Sequence, residues 1–188
     1  MQADWSVELA ADDPHLDLPW DSTDPAVRYF DLKRRPELLL ELPEAQRNRD
    51  LAQFLTAINS ENSRFESAKC DTWLSNQITP EEEIFQAPWK FASYVDLVFT
   101  STDLRLQFEP NEAFAKQIAG LLGRAPEISA AAEFVVRRCF SHLDGEVRDG
   151  YYFTFYLYGY GEDEADARRR WQIALCLVEN ALLQLSAH

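Results

Sequence analysis

The sequence predicts one α+β domain with a mostly antiparallel sheet of about four strands, helices packed on one face and a long C-terminal helix. Helix-like and strand-like segments do not alternate regularly, as they would in a doubly wound parallel sheet. The 188 residues include only six glycines, and neither a repeat nor a linker divides them. A chain of this length typically forms one domain and buries roughly 70% of the surface that its unfolded form exposes.

The first 24 residues are predicted to form an acidic arm ahead of a single domain that spans residues 25–188. The arm has no lysine or arginine, and its acidic residues are Asp4, Glu8, Asp12, Asp13, Asp17, Asp21 and Asp24. Trp5 and Trp20 interrupt it, and a purely solvating tail needs no such rings. We therefore expect both tryptophans to dock on the domain or on a neighbouring subunit. A disordered tail is the alternative.

Prolines mark the helices that are expected before the first strand. Asp24 and Pro25 supply an N-cap and a first-turn proline for a short helix that reaches residue 32. Pro36 opens a further segment, and Pro43 restarts a helix that is predicted to end near residue 59. The buried stripe of this helix is Leu51, Phe54, Leu55 and Ile58.

The middle of the chain is predicted to be sheet. Residues 64–74 alternate as a strand, and the threonine, proline and three acids at 79–83 indicate a short helix after it. A hairpin follows, with Ser101-Thr102-Asp103 as its turn. The apolar positions of its two strands are Phe91, Val95, Leu97 and Phe99 on the first and Leu104, Leu106 and Phe108 on the second.

Two helices are expected after this hairpin. Asn111 caps the first, and Gly123 ends it. Pro126 opens the second, which runs through Ile128 and Ala131 to Val135.

A strand and a long helix complete the predicted chain. Turns are expected at Asp144-Gly145 and Asp149-Gly150. They precede a strand over residues 151–160 and a helix over residues 162–186, whose early acids complement the helix dipole.

The charge of the chain restricts its partners. Asp and Glu total 32 against 18 Lys and Arg, which gives a formal net charge of −14. Such a field repels phosphate backbones and anionic lipids, so nucleic acid and membrane surfaces are not expected as partners. A basic protein partner or a second copy of the chain remains, as does acidity that serves solubility alone.

Cysteine usage and the N-terminus indicate the compartment. Cys70, Cys139 and Cys176 are an odd number of widely spaced thiols, which is typical of a reducing compartment without structural disulfides. The N-terminal residues lack the basic patch and apolar run of a signal peptide. No stretch reaches the roughly 18 apolar residues that span a bilayer. These features predict a cytoplasmic protein.

Motifs for phosphate, metal or nucleophilic chemistry are incomplete. Gly159-Tyr160-Gly161 is placed like a dinucleotide loop, but the third glycine is missing and acids follow. No pair of histidines has metal-ligand spacing; they are His15, His142 and His188. Cys139, His142 and Asp144 allow a thiol–imidazole–carboxylate site, although a helix end explains the same residues. No cofactor and no metal are therefore expected.

The strand over residues 151–160 is rich in tyrosine. An extended strand sends Tyr151, Phe153, Phe155 and Leu157 into the core, and Tyr152, Thr154, Tyr156, Tyr158 and Tyr160 to the other face. Rings with a polar tip suit surfaces that are buried only at times. The predicted binding surface comprises Tyr152, Tyr156, Tyr158 and Tyr160, with Tyr94 and Asp96 from the neighbouring strand.

Three interpretations of this surface stay open: a thin second core, a protein or subunit interface, and the wall of a small-molecule pocket. The favoured function is a non-catalytic interaction domain of the adaptor, inhibitor or immunity type. The alternative is a small ligand-binding domain or enzyme, with Asp96, Lys69 or Arg105 as polar anchors. A flat face favours the former, and a closed cavity with convergent polar groups favours the latter.

Overall fold

A mixed sheet with helices on one face forms the protein in the computed structural model, which describes residues 1–22, 28–143 and 145–186. The strands in these ranges are β1 (Gln2–Glu8), β2 (His15–Leu18), β3 (Phe65–Ser75), β4 (Trp89–Phe99), β5 (Ala130–Leu143) and β6 (Glu146–Gly161). The α-helices are α1 (Pro43–Arg47), α2 (Arg49–Ile58), α3 (Thr102–Arg105), α4 (Phe108–Leu122) and α5 (Glu164–Ser186), and 3-10 helices cover Pro36–Glu41 and Pro80–Phe85. The predicted α+β class and long C-terminal helix are confirmed.

The sheet has the order β1-β5-β6-β4-β3, and β2 pairs with β5 beyond the end of β1. Both β1 and β2 run parallel to β5, whereas the other neighbouring pairs are antiparallel. The described ranges thus hold six strands where about four were expected, in a mixed sheet in which three of the five pairings are antiparallel. The sequence pattern missed β1 and β2 because they are short, acidic and paired with a strand more than a hundred residues away, as Trp5 with Phe134.

The main core lies between the sheet and the helices α2, α4 and α5. Its largest fully buried side chains are Phe54, Phe65, Phe99, Phe134, Phe153, Phe155 and Trp171. The indole N–H of Trp171 reaches the sheet and donates to Ser93 Oγ at 2.9 Å. This side of the sheet is therefore sealed, and any binding surface on the sheet lies on the opposite side.

Two glycines at the end of β6 allow α5 to cross the sheet at close range. A Cβ built on Gly159 would lie 2.2 Å from the backbone nitrogen of Trp171, and one built on Gly161 would lie 2.2 Å from that of Ala167. No side chain fits in such a gap, since non-bonded carbon and nitrogen atoms need well over 3 Å. The Gly159-Tyr160-Gly161 sequence thus serves helix packing.

The predicted return strand at 104–108 is wrong, because α3 and the start of α4 occupy these residues. Leu104 and Phe108 both pack against the main core. Their spacing of four residues equals two strand periods and also about one helical turn, so the pattern alone does not separate the two structures. The backbone N–H of Arg105 donates to the Ser101 carbonyl at 3.0 Å, which closes a helical turn where a hairpin turn was expected.

The helix predicted between Pro126 and Val135 is also wrong. This segment enters β5, in which Ala130, Ala132 and Phe134 alternate toward the main core. Alanine has high intrinsic helix propensity, but pairing on both sides, with β1 and β6, overrides that preference.

Three further local predictions are corrected. Asn111 lies inside α4 rather than at its cap, and its side-chain amide donates to the carbonyls of Leu104 and Gln107 at 2.8 and 2.7 Å. The expected turn at Asp149-Gly150 is part of β6, where Gly150 pairs with Cys139. The start of the helix expected from Asp24-Pro25 lies outside the described residues, and residues 28–35 form no helix.

Other local predictions are confirmed. Thr79 and Glu82 form a capping box at the start of the 3-10 helix Pro80–Phe85. Gly123 is the C-cap of α4. Gly145 has a φ of 82° in the turn between β5 and β6, a conformation that favours glycine; Asp144 lies outside the described residues.

Candidate functional site

The side of the sheet away from the helices carries the tyrosines of β6; we call it the open face. Phe153, Phe155 and Leu157 point into the main core, so the alternation predicted for residues 151–160 is correct. Across β4 and β6, Tyr94 pairs with Tyr156 and Asp96 pairs with Thr154. The open face therefore brings the six predicted surface residues onto two adjacent strands.

Three tyrosines form the exposed centre of this face; we call Tyr94, Tyr156 and Tyr158 the tyrosine face. Each is half-buried. The ring centroids of Tyr94 and Tyr156 lie 6.2 Å apart, and those of Tyr156 and Tyr158 lie 6.4 Å apart. These spacings place the rings side by side as a continuous aromatic surface.

Tyr160, by contrast, is sealed at one end of the open face. Its ring stacks on Phe85 at 4.0 Å, and only 2% of the residue is exposed. The phenol donates to Glu82 Oε1 at 2.9 Å, and the same carboxylate binds Lys90 at 2.7 Å. The 3-10 helix Pro80–Phe85 therefore covers Tyr160 and removes it from any exchangeable surface.

Tyr152 is sealed at the other end by a small second core. It is 3% exposed, and the other buried members of this core are Leu16, Leu18, Ala68, Val98 and Cys139. Trp20 packs against this cluster, and its indole N–H donates to the Ala68 carbonyl at 2.9 Å. Trp5 instead packs against the main core, with the Lys116 ammonium 4.7 Å from its ring centroid. The two tryptophans of the N-terminal residues thus lie on opposite sides of the sheet.

A hydrogen-bonded chain of polar groups runs beneath the tyrosine face. The Thr154 hydroxyl donates to Asp96 Oδ1 at 2.8 Å and accepts from Arg137 Nη1 at 2.7 Å. Arg137 also donates to the Tyr156 hydroxyl at 3.2 Å and to Glu8 Oε2 at 2.7 Å. These hydrogen bonds link β4, β6, β5 and β1 and fix the positions of four side chains. We call Asp96, Thr154, Arg137 and Glu8 the floor of the tyrosine face.

Burial shifts the pKa of Asp96 in this floor and of two tyrosines of the tyrosine face. Burial raises the pKa of Asp96 to about 6, although the Thr154 hydrogen bond and the charges of Lys69 and Arg137 act in the opposite direction. Burial also raises the pKa of Tyr158 to about 12, and that of Tyr94 rises through burial and the nearby Asp96 charge. The hydroxyls of Tyr94 and Tyr158 are therefore protonated hydrogen-bond donors near neutral pH.

A cleft of about 450 Å3 adjoins the tyrosine face; we call it the β3 cleft. It lies between Trp20, the segment of residues 28–44 and one side of β3, and Tyr94 lines both the cleft and the tyrosine face. Lys69 lines the cleft, with its ammonium 4.9 Å from the ring centroid of Trp20. Lys69, one of the anchors considered from the sequence, is therefore placed beside a cavity.

Arg105, another anchor considered from the sequence, has a structural role. It is 7% exposed, its Nε donates to the Phe99 carbonyl at 2.9 Å, and it pairs with Glu66 at 2.6 Å. These contacts hold α3 against the end of β4, and Arg105 does not line the β3 cleft.

Sequence reasoning missed Arg137 and Phe85. Arg137 was assigned no role because β5 was not predicted, and its alanine-rich start was predicted to be a helix. The sequence signal that could have predicted β5 was the apolar period of two from Phe134 to Val136 and onward. Phe85 had no such signal, because its stacking on Tyr160 depends on how the 3-10 helix folds over the sheet.

The sequence-adjacent Cys139 and His142 do not form a nucleophilic site. Cys139 is fully buried, and burial raises the pKa of its thiol to about 11. His142 is exposed near Asp17, at 3.9 Å, and Asp144 is outside the described residues. Within the ranges that the structure describes, no group of three or more His, Cys, Asp or Glu is placed to hold a metal ion. In the same ranges, no helix has the length and apolar content that crossing a bilayer requires.

Comparisons of the chain with protein-family models, with curated proteins and with solved structures found no match.

Proposed function

We propose that the protein is a non-catalytic binding domain, of the adaptor, inhibitor or immunity type, that docks a basic protein on its tyrosine face. The observation that carries this proposal is the half-burial of Tyr94, Tyr156 and Tyr158 at the centre of a sheet face whose two ends are covered. The exposed side of an antiparallel sheet normally carries polar side chains. Three adjacent phenol rings there are better explained by a partner.

The tyrosines have the chemistry of an interface. Their rings supply apolar area at low entropic cost, and their hydroxyls supply directional hydrogen bonds. The hydroxyls of Tyr94 and Tyr158 are bonded to no other described residue, so both are available to acceptors on a partner. The ordered floor beneath them reduces the entropy that docking costs.

Charge favours a basic partner over a second copy of the chain. Two cations of the open face are already paired, Arg137 with Glu8 at 2.7 Å and Lys90 with Glu82 at 2.7 Å, and Lys69 lies at the β3 side of this face. The neighbouring carboxylate of Glu133, opposite Tyr156 on β5, has no cation within 4.0 Å among the described residues. The Glu133 carboxylate attracts a basic protein to the tyrosine face, whereas two chains of net charge −14 repel each other.

A binding role suits the floor better than a catalytic role. Asp96 has a pKa near neutrality, but it is 6% exposed and hydrogen-bonded to Thr154 beneath the rings. A general acid or base must reach the atoms of its substrate within about 3 Å. Asp96 instead orders the surface that a partner would cover.

Site-specific photo-cross-linking in the source cell tests this proposal. A photoreactive phenylalanine analogue at position 158 should give an adduct with a second, basic protein. The same analogue at position 173 is the matched control, because Ile173 is 47% exposed and lies on α5 behind the sheet. Formation of the adduct in the lysate should fall as the salt concentration rises above about 0.15 M, where surface charges are screened within ~8 Å.

Two results would contradict the proposal. Equal adduct yields from positions 158 and 173 would mean that the tyrosine face has no preferred partner. An adduct that contains only two copies of this chain would replace the basic partner with self-association.

A further inference from the structure

The β3 cleft contains two hydrogen-bond donors without acceptors. Neither the Lys69 ammonium nor the Tyr94 hydroxyl is hydrogen-bonded or ion-paired to another described residue. Lys69 pairs with Asp96 and Tyr94 with Asp71 in the β3–β4 register, so the two donors are diagonal neighbours on one face. Both donors are half-buried, and a ligand carboxylate that accepts from both would gain charge-assisted hydrogen bonding at Lys69.

The Lys69 side chain is held in position by its surroundings. Its ammonium lies over the ring of Trp20 at 4.9 Å from the centroid, and Trp20 is itself anchored by its hydrogen bond to the Ala68 carbonyl. A cation over an aromatic ring loses little freedom when an anion binds. The carboxylate of Asp96 lies opposite on β4 but is hydrogen-bonded to Thr154.

One part of the wall of the β3 cleft is apolar. This part is formed by Phe30, Leu32, Leu42, Pro43 and Ala68. The volume of about 450 Å3 is within the range of small-molecule sites, roughly 300–1,000 Å3. A ligand body of hydrocarbon or aromatic character therefore fits beside the two donors.

Acidic residues at the rim limit the charge of the ligand. Asp21, Glu44 and Asp71 line the same cleft. Glu44 is paired with Arg47 at 2.9 Å, and Arg28 is paired with Glu41 at 2.5 Å. Arg28 and Glu44, which both line the cleft, therefore do not neutralise each other. A single negative charge at Lys69 is compensated, whereas a second one would face these carboxylates.

We propose that the β3 cleft binds a small amphipathic monocarboxylate. Its carboxylate accepts hydrogen bonds from Lys69 and Tyr94, and its apolar body lies along Leu32, Leu42 and Ala68. This site adjoins the tyrosine face and shares Tyr94 with it, whereas Tyr156 and Tyr158 do not line the cleft.

Calorimetric titration of the full chain tests the ligand class. The probes are octanoate, 3-phenylpropionate, octan-1-ol, octylamine and octyl phosphate at neutral pH. We expect saturable binding of at least one carboxylate, with octan-1-ol and octyl phosphate weaker by about tenfold or more, as expected for loss of a charge-assisted hydrogen bond or addition of a repelled charge. Equal or tighter binding of octan-1-ol, octylamine or octyl phosphate would overturn the proposal, as would absence of carboxylate binding up to about 5 mM.

Matched variants locate the site. Lys69→Met keeps the length of the side chain and should weaken carboxylate binding by about tenfold or more. Lys69→Arg should retain binding. Lys116→Met is the control for loss of a positive charge, because Lys116 lies on α4 on the other side of the sheet. An unchanged affinity for Lys69→Met, or an equal loss for Lys116→Met, would overturn the assignment.

Backbone amide NMR adds a readout that does not depend on any variant. Addition of octanoate should shift the amide signals of residues 68–71 and 94 and leave those of α5 unchanged. Shifts concentrated elsewhere, for example at the cavity that Met1 and Phe85 line, would also overturn the assignment.

Discussion

The carboxylate of Asp96 on β4 accepts a 2.8 Å hydrogen bond from the hydroxyl of Thr154 on β6. Asp96 is 6% exposed, and burial raises its pKa to about 6. Aspartate in an unfolded chain has a pKa of about 3.9. The folded state therefore binds this proton more tightly than the unfolded state.

The contribution of Asp96 to stability should consequently depend on pH. It is complete below about pH 4 and is lost as the pH rises through about 6, where the buried carboxyl ionises. The advantage of Asp96→Asn over wild type should increase by on the order of 3 kcal/mol between about pH 3 and pH 8. Urea unfolding across this range measures it, with Asp103→Asn at an exposed position of α3 as a control for the lost charge. A difference that does not vary with pH would contradict the burial of this carboxyl.

Substitution of Gly159 should disrupt the contact of β6 with α5. The added Cβ of Gly159→Ala would lie 2.2 Å from the Trp171 backbone nitrogen, and we expect a loss of about 3 kcal/mol or more because the overlap is with backbone. The control is Gly120→Ala in α4, where the added Cβ meets nothing within 4 Å and should stabilise by about 0.5–1 kcal/mol. Chemical denaturation compares the two, and similar effects would refute the close crossing of α5.

Arg105 should be important for stability rather than for binding. Arg105→Met leaves the Phe99 carbonyl and the Glu66 carboxylate without their donor, and the expected loss is on the order of 3 kcal/mol. Arg148 pairs with Glu146 on the exposed end of β6, so Arg148→Met should change stability by less than about 0.5 kcal/mol. Thermal or urea unfolding of both variants checks the contrast. Equal losses would mean that the Arg105 contacts contribute nothing beyond a surface pair.

The three cysteines should differ in reactivity. Cys139 is buried with a thiol pKa raised to about 11, and burial also raises the pKa of Cys70. Cys176 is exposed on α5. In the native protein, iodoacetamide should label Cys176 first and Cys139 roughly a hundredfold more slowly than in urea, because the thiolate is the reacting species. Mass spectrometry of timed samples measures this order, and early labelling of Cys139 would contradict the second core.

The tyrosine alternation in β6 could be predicted from the sequence because a strand has a fixed period of two. Residues 153, 155 and 157 point into the core as that period requires. The period of two does not predict which tyrosines of β6 are covered by distant segments of the chain. Phe85 over Tyr160 and Leu16 over Tyr152 depend on chain paths that no local pattern specifies.

The errors in the predicted fold have a common physical cause. The segment that begins at Ala130 has high intrinsic helix propensity, and the apolar spacing around Leu104 fits both a helix and a strand. In each case tertiary pairing decides the structure: β1 and β6 extend Ala130 as a strand, while the buried Arg105 guanidinium holds α3 against Phe99. Arg137 was missed for the same reason, since its role depends on β5.

The parallel pairing of β1 and β2 with β5 has a consequence for how the chain folds. Residues 2–8 find their partners at residues 131–137, and residues 15–18 find theirs at residues 138–141. On the ribosome, β1 and β2 must wait until β5 has emerged. Contacts of such long sequence separation form slowly, so these two strands complete the sheet late, and their acidity helps to keep them from aggregating until then.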